Sequence, residues 1–165
     1  MDNHRISVAK LSAALGAALL ARGCKLALAE SCTGGMVAQA VTSVAGSSAW
    51  FDRGFVTYSN QAKIDMLGVS PAKLEKFGAV SEETAKVMAE GCLKHSHAQI
   101  AGSITGIAGP DGGTTQKPVG TVCFGVARAN QCTTSTQYFT GNRKQIRQQA
   151  TAFLMQQLID KLNQD

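Results

Sequence analysis

The chain of 165 residues has few of the side chains on which common hydrolase and metal sites depend. It holds three histidines, His4, His95 and His97, and none of them lies beside the end of a predicted strand. A Ser-His-Asp triad is therefore not expected, and the Gly-x-Ser-x-Gly motif is absent. No cluster of histidines or carboxylates has the spacing of a metal site, so we expect neither a metal nor a cofactor.

The cysteines also lack the patterns of structural or redox sites. The five thiols are scattered, odd in number and never in Cys-x-x-Cys spacing, which argues against a disulfide framework and a zinc site. Such usage is typical of a reducing compartment, so we expect a cytoplasmic location. No apolar run approaches the roughly 20 residues that span a bilayer, and no secretory signal is recognisable, so we expect no membrane association.

Charge and aromatic content give little support to a nucleic-acid-binding surface. The formal net charge is +5, aromatic residues make up 5% of the chain, and no arginine-rich stripe occurs. Neither of the common glycine-rich nucleotide motifs, Gly-x-x-x-x-Gly-Lys-Ser/Thr and Gly-x-Gly-x-x-Gly, is present. We therefore expect a small, anionic molecule as the partner rather than nucleic acid.

Helices and strands are predicted to alternate over the first two thirds of the chain. The pattern predicts helices at 5–22, 36–44, 60–67, 71–78, from 81 and from 142, and strands at 26–30, 54–58, 99–105, 120–127 and 133–139. We expect a single domain over 1–165, with a three-layer α/β/α sandwich around a mixed, mostly parallel sheet of about five strands. The N-terminal helix could pack on its own domain or on a second subunit, and we expect a homo-oligomer.

The segment around Ser31 is the centre of the prediction. An apolar strand stops at Glu30-Ser31, and two glycines, Gly34 and Gly35, lead into a helix. This arrangement places Ser31 at the carboxyl edge of the sheet, where α/β proteins bind ligands, close to the N–H groups of a helix start. The simpler interpretation is that Ser31 or Thr33 only caps the helix. Cys32 is a competing nucleophile, although a small residue in this place is more often buried.

If Ser31 is a nucleophile, a lysine is the available base. Lys63 follows the second predicted strand as Ser31 follows the first, and neighbouring strands would bring the two turns together. Burial would lower the pKa of a lysine to about 7–8, where it can accept a proton. Tyr58, at the same strand end, could bridge the two or pass a proton to a leaving group. Taken alone, however, Lys63 suits a solvated helix face and Tyr58 suits packing.

Two further segments have the composition of binding elements. Residues 105–109, Thr105-Gly106-Ile107-Ala108-Gly109, offer backbone N–H groups that could form an oxyanion hole, although a flexible turn is equally compatible with them. Arg143 and Arg147 lie in the first turns of the last helix, where positive charge opposes the helix dipole unless an anion binds there. A phosphate would benefit from both guanidinium groups, but arginines on a solvated helix face are also common.

Five motifs follow one another along the chain. They are Ala29-Glu30-Ser31-Cys32-Thr33-Gly34-Gly35, Gly54-Phe55-Val56-Thr57-Tyr58-Ser59-Asn60 with Lys63, Gly78-Ala79-Val80-Ser81, Gly106-Ile107-Ala108-Gly109-Pro110-Asp111-Gly112-Gly113 and Pro118-Val119-Gly120-Thr121-Val122. With these motifs in this order the chain resembles the CinA C-terminal domain family, and the similarity runs from about residue 8 to residue 160. Each motif alone is weak, but several in register are specific.

The resemblance implies an amidase of the PncC type, which converts nicotinamide mononucleotide and water to nicotinate mononucleotide and ammonia in NAD salvage. It implies Ser31 as nucleophile, Lys63 as general base and Tyr58 as an assisting hydroxyl, without a metal. It also implies that backbone amides bind the oxyanion and that one of two arginines binds the phosphate. The substrate-binding residues that it implies are Thr33, Gly34, Gly35, Thr105, Gly106, Arg143 and Arg147. The alternative is a non-catalytic nucleotide-binding or scaffold module linked to competence or DNA damage.

Overall fold

One five-stranded sheet lies at the centre of residues 7–164, the part of the chain that the computed structural model describes. The strands are β1 (Leu26–Glu30), β2 (Phe51–Val56), β3 (Ile100–Gly106), β4 (Thr121–Arg128) and β5 (Gln131–Tyr138). The helices are α1 (Val8–Arg22), α2 (Met36–Thr42), α3 (Asn60–Leu67), α4 (Pro71–Phe77), α5 (Glu82–Lys94) and α6 (Arg143–Leu162). The predicted first turn at 5–6 and the position of His4 lie outside the described residues.

The sheet is mixed, with the strand order β2-β1-β3-β4-β5. β1 pairs in parallel with β2 on one side and β3 on the other, whereas β4 is antiparallel to both β3 and β5. Four of the five strands therefore run in one direction and β4 in the other. The carboxyl ends of β1, β2 and β3 consequently meet at one edge, which is where α/β proteins place ligand sites.

Helices cover both faces of the sheet and confirm the predicted three-layer α/β/α sandwich. α1, α2 and α6 pack together on one face, and α3, α4 and α5 lie on the other. Ser7 caps α1 and the left-handed Gly23 ends it. The leucines of α1, Leu11, Leu15 and Leu19, are buried in the core beside α6, so this helix packs on its own sheet.

Strand β1 separates the two cores because successive side chains of a strand point to opposite faces. Leu26 and Leu28 belong to the larger core on the α1–α2–α6 face, whereas Ala27 and Ala29 belong to the smaller core on the other face. The ladder continues one step beyond the strand, since the N–H of Ser31 donates to the carbonyl of Ile104 at 3.0 Å. The same alternation sends the next two side chains, Glu30 and Ser31, to opposite faces.

Two local predictions differ from the structure at the connection between β2 and α3. The strand was predicted at 54–58 but covers Phe51–Val56, so Tyr58 lies two residues beyond its end. The sequence also favours Asn60, at the start of the predicted helix, as the cap of α3, but Ser59 is the cap: its hydroxyl accepts a hydrogen bond from the N–H of Ala62 at 3.0 Å. Both residues are good caps, and a hydroxyl one position earlier satisfies the same free N–H groups.

A glycine sets the distance between α3 and α5. A Cβ atom at Gly91 of α5 would collide with the carbonyl oxygen of Leu67, the last residue of α3. The absence of a side chain at this position thus allows the C-terminal end of α3 to lie directly against α5. Separately, no helix within residues 7–164 has both the length and the apolar character that crossing a membrane requires.

Candidate active site

Ser31 and Lys63 meet at the edge of the sheet. The amine nitrogen Nζ of Lys63 lies 2.9 Å from the hydroxyl oxygen Oγ of Ser31, across 32 positions of the sequence. Ser31 extends the alanine face of β1 toward α3, and Lys63 lies on α3, the helix that follows the neighbouring strand β2. The parallel pairing of β1 with β2 therefore brings the two side chains together, as the sequence predicted.

Lys63 is only 1% exposed, and its amine contacts neutral oxygen atoms alone. Besides Ser31, Nζ donates to the carbonyl of Thr57 at 2.8 Å and to that of Tyr58 at 3.4 Å. No carboxylate forms an ion pair with it in the described part of the chain. Burial disfavours the charged form and lowers the pKa of Lys63 from 10.5 to about 8.

The positions of these three oxygens matter for the neutral amine. An ammonium group has three N–H donors, whereas a neutral amine has two donors and one lone pair. When Lys63 loses its proton, the carbonyls of Thr57 and Tyr58 can take the two remaining N–H bonds. The lone pair then faces Ser31, which is the geometry that a general base needs.

The carbonyl oxygen and the phenol oxygen of Tyr58 lie in different parts of the site. Its carbonyl lies beside both reactive groups, 3.4 Å from Nζ of Lys63 and 3.5 Å from Oγ of Ser31. Its side chain is 63% exposed, and the phenol oxygen accepts a hydrogen bond from Nη2 of Arg143 at 3.2 Å. The group that bridges Ser31 and Lys63 is therefore the backbone carbonyl of Tyr58. The hydroxyl does not bridge them, which was one of the two roles that the sequence suggested for it.

Glu30 occupies the start of α2 on the opposite face of the sheet. Its carboxylate is 1% exposed and accepts hydrogen bonds from the N–H groups of Val37 at 2.9 Å and Ala38 at 3.0 Å. It also accepts one from the hydroxyl of Thr33 at 2.7 Å. The N–H groups that the sequence analysis assigned to a ligand are thus taken by an internal carboxylate.

A pocket of about 230 Å³ opens above the Ser31–Lys63 pair. Seven residues that the sequence singled out line it: Ser31, Cys32, Tyr58, Lys63, Thr105, Gly106 and Arg143. Four others, Thr33, Gly34, Gly35 and Arg147, are not among its lining residues. Asn60, Ala79 and Val80 also line the pocket, although no sequence pattern indicated a ligand contact for them, and Ala108 lines it from the 105–109 segment.

The two arginines at the start of α6 have different surroundings. Arg143 is exposed and lies at the mouth of the pocket, where its Nη1 donates to the carbonyl of Gly109 at 2.9 Å. Arg147, one turn later, is half-buried and donates to the carbonyls of Cys32 at 3.0 Å and Thr33 at 3.1 Å. Arg143 can therefore meet a ligand directly, whereas Arg147 contacts the turn that carries Ser31.

One backbone N–H group beside Ser31 is placed to serve as a donor. The N–H of Ser31 is used in the sheet, but those of Cys32 and Thr33 donate to no other residue within 7–164. Of these two residues Cys32 lines the pocket, whereas Thr33 is fully buried and does not. Thr105 lies across the pocket, and its hydroxyl donates to the carbonyl of Ala79 at 2.8 Å. Gly106 allows β4 to approach closely, because a Cβ atom there would lie 2.8 Å from a methyl group of Val122.

Cys32 is unsuited to be the nucleophile even though it lines the pocket. Its thiol is 6% exposed, and burial raises its pKa to about 11. The thiolate is the reactive form of cysteine, so Cys32 is a protonated, weakly reactive group at neutral pH. Ser31, with a base at 2.9 Å, is the better candidate.

A larger cavity of about 610 Å³ lies beside this pocket, between α5 and the β4–β5 hairpin. Its buried thiol, Cys123, has a raised pKa because of burial. Its carboxylate Glu82 accepts hydrogen bonds from the hydroxyls of Thr134 at 2.8 Å and Thr136 at 2.7 Å. No nucleophile–base pair comparable to Ser31 and Lys63 lines this cavity. Nowhere in residues 7–164 do three His, Cys, Asp or Glu side chains gather as metal ligands.

Comparison with known proteins gives a consistent set of relatives. The family described as the CinA C-terminal domain matches residues 8–162. Two curated relatives named nicotinamide-nucleotide amidohydrolase PncC are similar to the chain. The one from Enterobacter agglomerans is 55% identical over 148 residues, which cover 89% of this chain and 90% of the relative. The one from Escherichia coli K12 is 54% identical over 150 residues, which cover 90% and 91%.

Solved structures support the same relationship. The crystal structure of the competence/damage inducible protein CihA from Agrobacterium tumefaciens has a TM-score of 0.92 and 43% sequence identity to this chain. The match covers 99% of this chain and 100% of that one. The sheet order and the helical layers described above are therefore an arrangement that this chain has in common with an experimentally determined protein.

Proposed function

The chain belongs to the CinA C-terminal domain family, and from this membership we propose that it is a nicotinamide-nucleotide amidase. The reaction is hydrolysis of the carboxamide of nicotinamide mononucleotide to nicotinate mononucleotide and ammonia, a step in NAD salvage. The observation that carries the proposal is the buried Lys63 amine at 2.9 Å from the Ser31 hydroxyl, inside a pocket. Serine and lysine in this relation are the nucleophile and base of an acyl-transfer reaction.

In the first half of the reaction Ser31 attacks the carboxamide carbon and Lys63 takes its proton. The tetrahedral intermediate collapses when Lys63 returns this proton to the leaving nitrogen, so that ammonia departs and an acyl-enzyme ester remains. In the second half, Lys63 takes a proton from water, the hydroxide attacks the ester, and the proton goes back to Ser31. A base whose pKa is about 8 can act in both directions near neutral pH.

The oxyanion of each tetrahedral intermediate needs hydrogen-bond donors. The N–H of Cys32 donates to no other residue within 7–164 and belongs to a residue that lines the pocket, so we assign this role to it. Backbone N–H groups in Thr105–Gly106, on the opposite wall, are the alternative donors. Tyr58 keeps the reactive pair in place through its carbonyl, and its hydroxyl is available at the pocket mouth.

The size of the pocket indicates how the nucleotide binds. A volume of about 230 Å³ is below the roughly 300–1,000 Å³ of pockets that enclose a whole drug-sized ligand. The pyridine carboxamide therefore enters the pocket, and the ribose phosphate stays at its mouth. Arg143 is exposed there, so we assign the phosphate to this side chain.

The amidase is tested by measuring ammonia release from nicotinamide mononucleotide in the presence of a chelator. We expect release by the wild type and a loss of at least a thousandfold in Ser31→Ala, with the circular dichroism spectrum unchanged. Mass spectrometry should detect the nicotinate product or an acyl adduct on Ser31. Intact substrate together with a raised Tm would instead identify a module that only binds the nucleotide.

Two wider features of the proposal follow from the same observations. We propose that residues 7–164 act as one amidase domain, because one sheet carries both cores and the whole site. We place the enzyme in the cytoplasm, where its free thiols would stay reduced. Association of the chain with a second copy stays a prediction.

A further inference from the structure

Arg147 contacts the Ser31 turn from the side of α6, across 115 positions of the sequence. Its Nε donates to the carbonyl of Cys32 and its Nη2 to the carbonyl of Thr33, so one edge of the guanidinium group binds two successive carbonyls. A guanidinium group holds two acceptors in a fixed geometry, which a lysine cannot do. The two residues that follow Ser31 are therefore restrained by one side chain.

Fixing these carbonyls also fixes the N–H groups that belong to the same peptide units. In a planar trans peptide the C=O and the N–H point in opposite directions. The carbonyl of Cys32 faces Arg147, so the N–H of Thr33 points away from Arg147. Thr33 is fully buried and does not line the pocket, so this N–H is not presented to a ligand. The next N–H, that of Gly34, belongs to the same peptide unit as the held Thr33 carbonyl. It donates to the carbonyl of Ser31 at 3.0 Å, which orients the Ser31–Cys32 peptide and the N–H of Cys32.

Glu30 restrains the same turn from within the sheet. It accepts the hydroxyl hydrogen of Thr33 at 2.7 Å, so the Thr33 side chain and its carbonyl are both held. Arg147 meanwhile does not line the pocket, unlike Arg143. Its hydrogen bonds connect the nucleophile turn to α6 and do not point to a ligand.

We infer that Arg147 is a positioning residue. By holding the Thr33 carbonyl it fixes the Gly34 N–H that binds the Ser31 carbonyl, and so it keeps the Ser31–Cys32 peptide in the orientation that offers the Cys32 N–H to the oxyanion. This inference rests on the proposed amidase function and adds to it. It also replaces one of the expectations from the sequence, in which Arg147 was an alternative ligand of the substrate phosphate. With Arg147 removed, the peptide could rotate and turn a carbonyl toward the developing negative charge, which would raise the barrier.

The test compares Arg147→Gln and Arg147→Lys with Arg143→Gln and with a matched control. Arg22→Gln is the control, because Arg22 lies at the far end of α1, where its guanidinium group donates to the side chain of Asn163 at 3.5 Å. We expect kcat to fall about 10- to 100-fold in Arg147→Gln and less in Arg147→Lys. KM for nicotinamide mononucleotide and the inhibition constant of inorganic phosphate should stay within about twofold of wild type. Arg143→Gln should raise both constants.

The same comparison shows what would overturn the inference. A rise in KM and in the phosphate inhibition constant in the Arg147 variants would make Arg147 a phosphate ligand, and an unchanged kcat would remove the positioning role. A merely structural role is excluded if kcat falls while the pH midpoint near 8 and the Tm stay unchanged.

A second readout does not depend on the substrate. The rate at which a short alkyl fluorophosphonate labels Ser31 should fall in the Arg147 variants by about the same factor as kcat, because labelling also develops charge on an oxygen. If the wild type is labelled but releases no ammonia, the proposed function fails, while the labelling rates still decide the role of Arg147. Equal labelling rates in wild type and Arg147→Gln would refute the positioning role of Arg147.

Discussion

Glu30 and Lys63 are both 1% exposed at the same edge of the sheet, but their surroundings are opposite. The carboxylate of Glu30 faces α2 and accepts three hydrogen bonds, two of them from the N–H groups at the helix start. The amine of Lys63 faces the pocket, and the three atoms to which it donates hydrogen bonds are neutral oxygens. One buried ionisable group thus has the partners that stabilise its charge, and the other does not.

The difference separates a structural role from a catalytic one. A buried charge with suitable hydrogen bonds stabilises the conformation around it, and removing it leaves unsatisfied groups. A buried amine without an anionic partner is destabilising when charged, and this same penalty lowers its pKa into the range of a general base. We therefore expect substitutions at Glu30 to affect mainly stability and substitutions at Lys63 to affect mainly the rate.

The largest expected effect is on catalysis by Lys63→Met. Methionine fills a similar volume but cannot accept a proton, so kcat/KM for ammonia release should fall at least about a thousandfold, which is about 4 kcal/mol of the barrier. Lys73→Met is the matched control, because Lys73 is exposed on α4 and does not line the pocket. Activity of Lys63→Met within tenfold of wild type would remove Lys63 from the mechanism.

Glu30→Ala should have the next largest effect, and on stability. The N–H groups of Val37 and Ala38 and the hydroxyl of Thr33 would lose a common acceptor, at a cost of about 3 kcal/mol in the free energy of unfolding. Denaturant titration measures this cost. Glu75→Ala, on the exposed side of α4, is the control and should change stability by less than about 0.5 kcal/mol. An equally small change in Glu30→Ala would contradict the structural role.

The stability of the wild type relative to Lys63→Met should depend on pH. The folded-state pKa of Lys63, about 8, lies below the ordinary value of 10.5, so between these values the unfolded chain binds more protons than the folded one. The free energy of unfolding of the wild type should therefore rise with pH across this window, by roughly 2.5 kcal/mol relative to Lys63→Met. Denaturant titrations of both proteins at several pH values measure it. A difference that does not vary with pH would mean that the pKa of Lys63 is not lowered.

The pH dependence of the wild-type rate tests the same amine. If neutral Lys63 is the base, kcat/KM should rise about tenfold per pH unit below about 8 and level off above it. Each unit corresponds to about 1.4 kcal/mol. Initial rates of ammonia release in buffers of constant ionic strength give the profile. A rate that is flat across this range would assign the proton transfer to another group.

The smallest effect is expected for Cys32→Ala. The thiol is buried, its pKa is raised to about 11, and its carbonyl rather than its side chain contacts Arg147. Activity should stay within about threefold of wild type, which is less than 1 kcal/mol. A loss comparable to that of Ser31→Ala would show that the thiol, and not the hydroxyl, is the nucleophile.

The sequence predicted the fold and the reactive pair because both depend on strand order. Alternating helices and strands favour parallel neighbours, whose carboxyl ends meet at one edge, and this brought Ser31 and Lys63 together in the prediction. The helices predicted from 81 and from 142 start at the good capping residues Ser81 and Asn142, and these side chains accept hydrogen bonds from the N–H groups of Thr84 and Gln145.

Hydrogen-bond partners in the turns were less predictable. The hydroxyl of Thr33 could contact a ligand or the carboxylate of Glu30. Which of the two it contacts depends on the side-chain alternation of β1 and on the residue at which α2 starts. The sequence shows the alternation but not the exact start of the helix. The partners of Arg147 lie 114 and 115 positions away, so they depend on how α6 docks against the sheet. Local sequence patterns do not indicate contacts between residues that are so far apart in the chain. The carbonyl of Tyr58 is a similar case, because backbone atoms are the same at every position.

Gly91 has a consequence for how the enzyme can change over time. Because α3 carries Lys63 and its last carbonyl lies against Gly91, a single added methyl group on α5 would push α3 outward and draw the amine away from the serine. The exchange of this glycine for alanine, outside the residues that line the pocket, is thus a route by which a descendant of this protein could keep its fold and lose its activity.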